Sequence, residues 1–437
     1  MERPIKIGLL GAGTVGSGVL QVLAENAREV AMKTGAPVEV KTVLVRDAKK
    51  PRPELGNVRL TDRVEDILED DEIDIVAELM GGLHPAREYM LAAMEAKKHV
   101  VTANKDVIAQ FGTDMFDTAA REGVGFLFEA SVGGGIPIIR PIMESLTANR
   151  ITEVMGIVNG TTNYMLTNMT ERGEDYQTAL RKAQEKGYAE ANPAADVEGM
   201  DAARKAAILA SLAFNTRVPL QAVSVEGITR ITPEDIDYAR QLGYVIKLLA
   251  IAKDSPENGV DVRVHPAFLL KDHPLASVEG VFNAIFIKGN AIGEAMFYGR
   301  GAGSRPTASA VIADIISLGR SLVSGAARET DAPAFVPKKL CPVEETFSAY
   351  YIRLLVDDMP GVLGMIATAF GTSGVSLNSV IQTRKVGEFA EIVAITHHVK
   401  HRLIMDAEKA LTALSVVNRI ASVIRVEAPR TAERMKA

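Results

Sequence analysis

The chain has 437 residues, 47% of them hydrophobic and 24% charged, with a formal net charge of −6. That length implies two or three domains, and the hydrophobic share is enough to give each a core. Both charge signs are spread along the chain, which excludes the basic stripe of a nucleic-acid binder, and the single cysteine, Cys341, excludes a disulfide framework or a clustered thiolate metal site. The opening "MERPIKIGLLG" reads as a first strand without signal-peptide shape, and no apolar run is expected to reach bilayer length. A cytoplasmic, reducing location is therefore expected.

In chain order, "IKIGLLG" is a short apolar run leading into "GAGTVGSG", where Gly11, Gly13 and Gly16 have G-x-G-x-x-G spacing. "TVGSGVLQVLAENAREVAMKTG" has apolar residues at helical spacing and predicts one helix stopping at Gly35, followed by a strand at "VEVKTVLVR". Strand, glycine turn, helix and strand form the context that gives the glycine motif meaning. Gly11 permits the tight turn, Gly13 lets backbone approach a pyrophosphate, and Gly16 lets helix and strand pack closely. The bland alternative is a glycine turn that binds nothing. "DEIDIVAELMGG", "HVVTANK" and "VGFLFEASVGGG" continue as strands, with helices at "HPAREYMLAAMEAKK" and "GTDMFDTAAREG". Residues 1–130 thus read as a doubly wound α/β domain whose ligand edge lies at the strand carboxyl ends.

After residue 150 the pattern becomes a strand and helix at "RITEVMGIVNGTTNYML", then a mainly helical stretch broken by a polar loop at 188–199. "SVEGI", "YVIKLLAIAK", "VDVRVHPAFL" and "NAIFIKG" read as strands, and "SRPTASAVIADIISLGRSLV" as a long helix able to pack back on the first domain. Pro333, Pro337 and Pro342 mark a linker at 325–345. Beyond it the elements run β-α-β-β-α-β, with Pro360 opening the first helix; this is the ferredoxin-like order.

Several residues carry candidate chemistry. Arg46 follows the second strand and suits a 2′-phosphate, favouring NADPH; neighbouring Asp47 could instead take a ribose diol, so NADH stays open. Lys105 is expected to end a strand on the ligand edge, although a solvated lysine fits equally there. Asp201 and Lys205 are four apart on one helix, hence on one face. They are either an ordinary ion pair or an ammonium beside a reacting oxygen with a carboxylate for a substrate amine. Glu190 lies in the loop "KGYAEANP". None of the seven histidines has zinc-site spacing, and His84 reads as a cap or surface residue.

The stretches "GLLGAGTVGSG", "TANK" (102–105), "EASVGGGIPII" (129–139), "NGTTNY" (159–164), "KGYAEANPAADVEGMDAARK" (186–205), "VEGI" (225–228) and "YGRGAGSRPTASAV" (298–311) together make the chain resemble monofunctional homoserine dehydrogenases with a C-terminal ACT regulatory domain. The resemblance covers nearly the whole chain. It implies a Rossmann-like NADP-binding domain over 1–130, an α+β catalytic and dimerisation domain over 131–325, a linker over 326–347 and an ACT domain over 348–427. It implies reversible reduction of L-aspartate 4-semialdehyde to L-homoserine with NADP(H), NAD(H) remaining possible. By the same resemblance Lys205 is the proton donor and Lys105 a second essential lysine, while Gly187, Glu190 and Asp201 bind substrate. Cofactor binding falls to Gly11, Gly13, Thr14, Val15, Gly16, Arg46, Lys105 and Gly303. A monovalent cation, usually sodium, would be held by Glu129 and the carbonyls of Val132, Gly134 and Ile136. The last domain resembles a sensor for L-threonine, with "VDDMPGVLG" (356–364) and Asn378 as candidate contacts, in a homodimer or homotetramer without nucleic-acid or membrane partners. Two other readings stay open: another reductase of the same fold, or a regulatory binding protein without catalysis.

Overall fold

The computed structural model describes residues 3–50, 52, 55, 58–325 and 333–427; part of the expected linker, 326–332, lies outside the described residues. The chain begins with β1 (Ile5–Leu10), α1 (Thr14–Glu25), α2 (Ala27–Thr34), β2 (Val38–Leu44), β3 (Arg59–Thr61), α3 (Glu65–Leu68), β4 (Ile75–Glu78), α4 (Ala86–Glu95), β5 (His99–Thr102), α5 (Lys105–Glu122) and β6 (Phe126–Leu127). The six strands pair in parallel in the order β3-β2-β1-β4-β5-β6. Their apolar residues are buried almost without alternation, as in the consecutive Leu9 and Leu10, Ile75, Val76 and Ala77, and Val100 and Val101, because helices cover both faces of such a sheet. The order reverses between β1 and β4, which places the ligand crevice at the carboxyl ends of those strands.

Three local expectations need correction. The single helix up to Gly35 is broken at Asn26, whose non-helical backbone ends α1 and starts α2. Lys105 does not end a strand: Asn104 caps α5, its Oδ1 accepting from the Val107 amide at 3.2 Å, and Lys105 is the first helical residue. The strand expected through "VGFLFEASVGGG" is only two residues long, since the chain turns into a 3₁₀ segment at Glu129–Ser131.

The chain continues through β7 (Ile151–Ile157), α6 (Gly160–Arg172), α7 (Tyr176–Glu185), α8 (Ala194–Val197), α9 (Met200–Ala213), β8 (Ser224–Val225), α10 (Pro233–Leu242), β9 (Tyr244–Ser255), β10 (Gly259–Leu270), β11 (Phe282–Gly289), β12 (Gly293–Arg300) and α11 (Ser304–Ser324). It ends with β13 (Phe347–Asp357), α12 (Val362–Thr372), β14 (Leu377–Val386), β15 (Phe389–Thr396), β16 (Val399–Lys400), α13 (His401–Thr412) and β17 (Val417–Glu427). The α12 start is set by Gly361, with φ +90°, one residue beyond Pro360.

These elements pack as two compact units. The first takes in the chain to Val154, Arg204–Leu220 and Phe282–Pro337; the second takes in Met155–Ala203, Gln221–Val281 and the chain from Lys338. In the first unit, α11 lies on α1 and α2: the Ser304 hydroxyl donates to the Thr14 carbonyl at 2.7 Å, and Arg320 Nε donates to the Lys33 carbonyl at 2.6 Å. By length and composition α11 is apolar enough to cross a bilayer, contrary to the reading that no run is. Its apolar face is instead core: Val311, Ile315 and Leu318 are fully buried with Ile5, Val19 and Val30. Close approach requires glycine here, because a Cβ on Gly18 would sit 2.5 Å from Ser304 Oγ and 2.6 Å from its carbonyl oxygen.

The second unit contains the strand order β9-β10-β17-β13-β15-β14. β17 of the β-α-β-β-α-β segment pairs in parallel with β10, so the two share one sheet. Buried ion pairs reinforce that junction. Arg263 on β10 donates to Glu427 at 3.0 Å, and Arg353 on β13 meets Asp235 of α10 at 2.9 Å and Glu391 of β15 at 3.0 Å. Apolar residues of β13 and β15 pack against Ile366 and Phe370 of α12 and Ile404 and Leu411 of α13.

Candidate active site

A cavity of about 470 Å³ opens at the carboxyl ends of β1, β2 and β4. Gly11, Ala12 and Gly13 form its floor, with Leu44–Arg46 on one side and Leu79–Gly81 on the other. The three glycines have different surroundings. Gly11 has φ +100°, a Cβ on Gly16 would lie 2.2 Å from the Gly11 carbonyl oxygen, and a Cβ on Gly13 would meet nothing within 4 Å because it would point into open space. Gly13 precedes α1, and no side chain caps that helix. Arg46 stands exposed on the rim; Arg52, Asp62, His84 and Tyr89 also line the cavity, and none of these four is among the sequence-predicted site residues. His84 was read as a cap or surface residue; its Nδ1 lies 2.7 Å from Glu88 Oε1 at the start of α4. Arg52 sits between the strands β2 and β3 in a stretch with no periodic pattern, so no sequence signal marked it.

Glu78 is another residue that sequence reasoning missed. Fully buried at the end of β4, it accepts from the Met80 amide at 2.8 Å and the Gly81 amide at 3.1 Å, shaping the cavity wall. Its other oxygen accepts from Thr102 Oγ1 at 2.6 Å, and that hydroxyl accepts from the Asn104 amide at 2.9 Å. Burial pushes its carboxyl above the ordinary carboxylate range, against these donors. The chain of bonds runs from the cavity wall to the residue that caps α5 and presents Lys105.

Lys105 and Lys205 flank an ion pair. Asp106 follows Lys105 in the first turn of α5, Arg204 precedes Lys205 on α9, and Arg204 Nε approaches Asp106 Oδ1 to 2.6 Å, an ion pair off the hydrogen-bond alignment. Both lysines are half-buried. Asp201, one turn before Lys205 on α9, is buried and accepts from Asn159 Nδ2 at 2.9 Å. Gly187 and Glu190 are exposed, Gly187 with φ +71°. Their loop is held by Thr161 Oγ1, which donates to the Tyr188 carbonyl at 2.6 Å, and by Tyr164 and Tyr188 rings meeting edge to face at 5.0 Å.

Glu129 is buried and its carboxylate turns inward. It accepts from the amides of Ile138, Ile139 and Arg140 at 2.5, 2.8 and 2.7 Å. Asp314 of α11 completes the corner, accepting from the Glu129 amide at 2.9 Å and from Arg140 at 3.0 Å. The "GGG" run that follows is dictated by close packing: a Cβ on Gly134 would lie 2.4 Å from the Gly301 carbonyl oxygen, and one on Gly135 2.8 Å from Pro306. Gly303, with φ +126°, precedes α11 beside this turn.

A parallel sheet in the order 3-2-1-4-5-6, a glycine turn at its switch point and two lysines on helix starts and faces nearby define a nicotinamide-dependent oxidoreductase. The family description "Homoserine dehydrogenase, NAD binding domain" matches residues 11–129, and "Homoserine dehydrogenase" matches residues 137–316. The homoserine dehydrogenase of Synechocystis sp. is 47% identical, covering 97% of this chain and 99% of its own. The crystal structure of a homoserine dehydrogenase from Thiobacillus denitrificans superposes with a TM-score of 0.93 at 41% identity, covering 97% of this chain and 98% of the other. A hyperthermophilic archaeal homoserine dehydrogenase in complex with NADPH is 27% identical, with a TM-score of 0.62 over 72% of this chain and 98% of that one. The chain belongs to the homoserine dehydrogenase family and has that family's oxidoreductase activity.

Proposed function

We propose that the chain reversibly reduces L-aspartate 4-semialdehyde to L-homoserine, with Lys205 donating the proton to the aldehyde oxygen. The observation that supports this most directly is the Arg204–Asp106 pair, which fixes α9 against the first turn of α5 and so sets the backbones that carry Lys205 and Lys105. The nicotinamide cofactor, when bound, supplies the hydride. Lys205 stabilises the charge that develops on oxygen and provides its proton, while Lys105 holds positive charge beside the same centre. Asp201 and Glu190 take the substrate ammonium, with the Gly187 backbone beside them. The open space at Gly13 and the uncapped α1 fit a pyrophosphate, which Thr14 and Val15 would meet through their amides. Arg46 on the rim favours NADPH through the 2′-phosphate, with NADH use permitted.

A monovalent cation, sodium by family likeness, suits the oxygen-only donor set of Glu129 and the carbonyls of Val132, Gly134 and Ile136. It would brace the turn between Glu129 and Gly135. The β-α-β-β-α-β segment serves as an ACT-type sensor for L-threonine, and the enzyme works as a homodimer or homotetramer in the cytoplasm. A same-fold reductase that uses a cysteine nucleophile is disfavoured: Cys341 is the one cysteine, its amide is tied to the Val260 carbonyl at 2.8 Å, and burial pushes its thiol up.

The test is spectrophotometric, with L-homoserine and NADP⁺. Lys205→Ala should keep NADPH binding and lose about 100-fold or more of kcat, the usual worth of a positioned acid. Full turnover in the folded variant rejects the assignment.

A further inference from the structure

Asn159 performs two tasks at once. It stands between β7 and α6, 5% exposed, and its Oδ1 accepts from the Thr162 amide at 2.8 Å and from the Thr162 hydroxyl at 2.9 Å. That much is an ordinary helix cap. Its Nδ2 does something a cap does not require. One N–H goes to Asp196 Oδ1 at 2.7 Å and the other to Asp201 Oδ2 at 2.9 Å.

Both donors of the amide are therefore in use and its oxygen accepts from the Thr162 amide, while the single Thr162 hydroxyl proton is shared between that oxygen and the Asn159 carbonyl at 3.2 Å. The orientation of the amide is also fixed. Rotating it would set oxygen against two carboxylates and NH₂ against the Thr162 amide. The side chain thus ties two like-charged groups to one nitrogen, and the helix cap holds that nitrogen in place. Hydrogen bonds to carboxylates are among the stronger ones, so the arrangement resists rotation of Asp201. The neighbouring Thr161 fastens the 187–190 loop through the Tyr188 carbonyl, so one helix start orders both proposed amine contacts.

We propose that Asn159 is a positioning residue for the homoserine reaction: it presents the Asp201 carboxylate, with Asp196 beside it, to the substrate ammonium. This rests on the reading that Asp201 holds the amine. The experiment is a double-mutant cycle on the full chain, reading KM for L-homoserine and for NADP⁺ separately. Asn159→Ser keeps a good helix cap but cannot donate to both carboxylates. Its homoserine KM should rise about tenfold or more, with the NADP⁺ KM changed less than about twofold. Asn159→Asp, isosteric and also a good cap, serves where Ser weakens the fold. It should raise the homoserine KM further, because it brings a third carboxylate and no donor.

In an Asp201→Asn background the Asn159 effect should largely vanish, which a purely structural role would not produce. An unchanged homoserine KM in both Asn159 variants, equal losses for both substrates, or an undiminished effect in that background overturns the proposal. The underlying reading fails separately: if Asp201→Asn alone leaves the homoserine KM unchanged, Asp201 does not hold the amine and the proposal falls with it.

Discussion

Two glycines, Gly13 at the turn and Gly18 inside α1, have different physical reasons, and substitution separates them. Alanine at Gly18 would drive a Cβ to 2.5 Å from Ser304 Oγ, forcing α1 and α11 apart. Gly18→Ala should cost about 1–3 kcal/mol of stability, as overpacking does, measured by denaturant unfolding. Gly13→Ala meets no atom within 4 Å and should leave unfolding within roughly 0.5 kcal/mol of the parent. It should instead raise the KM for NADP⁺, because the methyl occupies the space a pyrophosphate needs. Similar unfolding curves for the two variants would contradict this division. Arg46→Ala should weaken NADPH use while sparing NADH, since only the former carries a 2′-phosphate; equal losses with both cofactors would make Arg46 structural.

At the scale of elements, the junction of β10 with β17 has a pH dependence. Burial alone would raise the Glu427 carboxyl, but the cations Lys253 and Arg263 outweigh it and hold the group at about 2. Burial pushes His265 well below its ordinary value of 6.5. Both groups bind protons more readily in the unfolded chain, so stability falls as pH falls. The His265 contribution is complete above 6.5 and is lost progressively below it; that of Glu427 is complete above its ordinary 4.5 and is lost as pH drops toward about 2. The melting temperature should therefore decline on acidification from pH 7, and more steeply below 4.5. Glu427→Gln should lower the melting temperature at neutral pH and flatten the lower part of the curve. A wild-type melting temperature that is constant down to pH 4 would contradict the assignment.

For the whole molecule, the shared sheet changes what truncation does. Ending the chain near 340 would be mild for a domain hung on a linker. Here it removes β17 from the edge of β10 and takes Glu427 from Arg263, which is 1% exposed. It also takes Arg353 from Asp235, which is fully buried on α10. Removing one partner of a buried ion pair costs about 3–5 kcal/mol, so the truncated chain should fail to fold stably rather than become an uninhibited enzyme. Circular dichroism and soluble yield of a chain ending at 340 check this; a folded, active product would show that β9 and β10 stand alone. Threonine sensitivity is then better tested in the intact chain, where Asn378→Ala should blunt inhibition by L-threonine without loss of basal turnover. An effector shifts activity only through different affinities for two states, so a flat titration would remove threonine as the ligand.

The local patterns of the chain were enough for most elements and for the ends of the site that lie in motifs. The glycine turn, the strand ends that carry Arg46 and the run to Lys105, and the spacing of Asp201 and Lys205 are all encoded by short-range periodicity and turn chemistry. What they could not encode is which distant groups meet. Glu78 reads as the end of a strand until Thr102 is brought to it from 24 residues away, and Asn159 reads as a cap until Asp196 and Asp201 arrive from 37 and 42 residues away. α11 passes for a membrane span by composition, and its packing on α1 and α2 makes it core. Three prolines mark a linker before the C-terminal segment, and only the fold shows that β17 of that segment pairs in parallel with β10. Periodicity is a property of neighbours in sequence and so determined the elements. Register between strands and the satisfaction of buried charge depend on neighbours in space, and only the tertiary structure decided those.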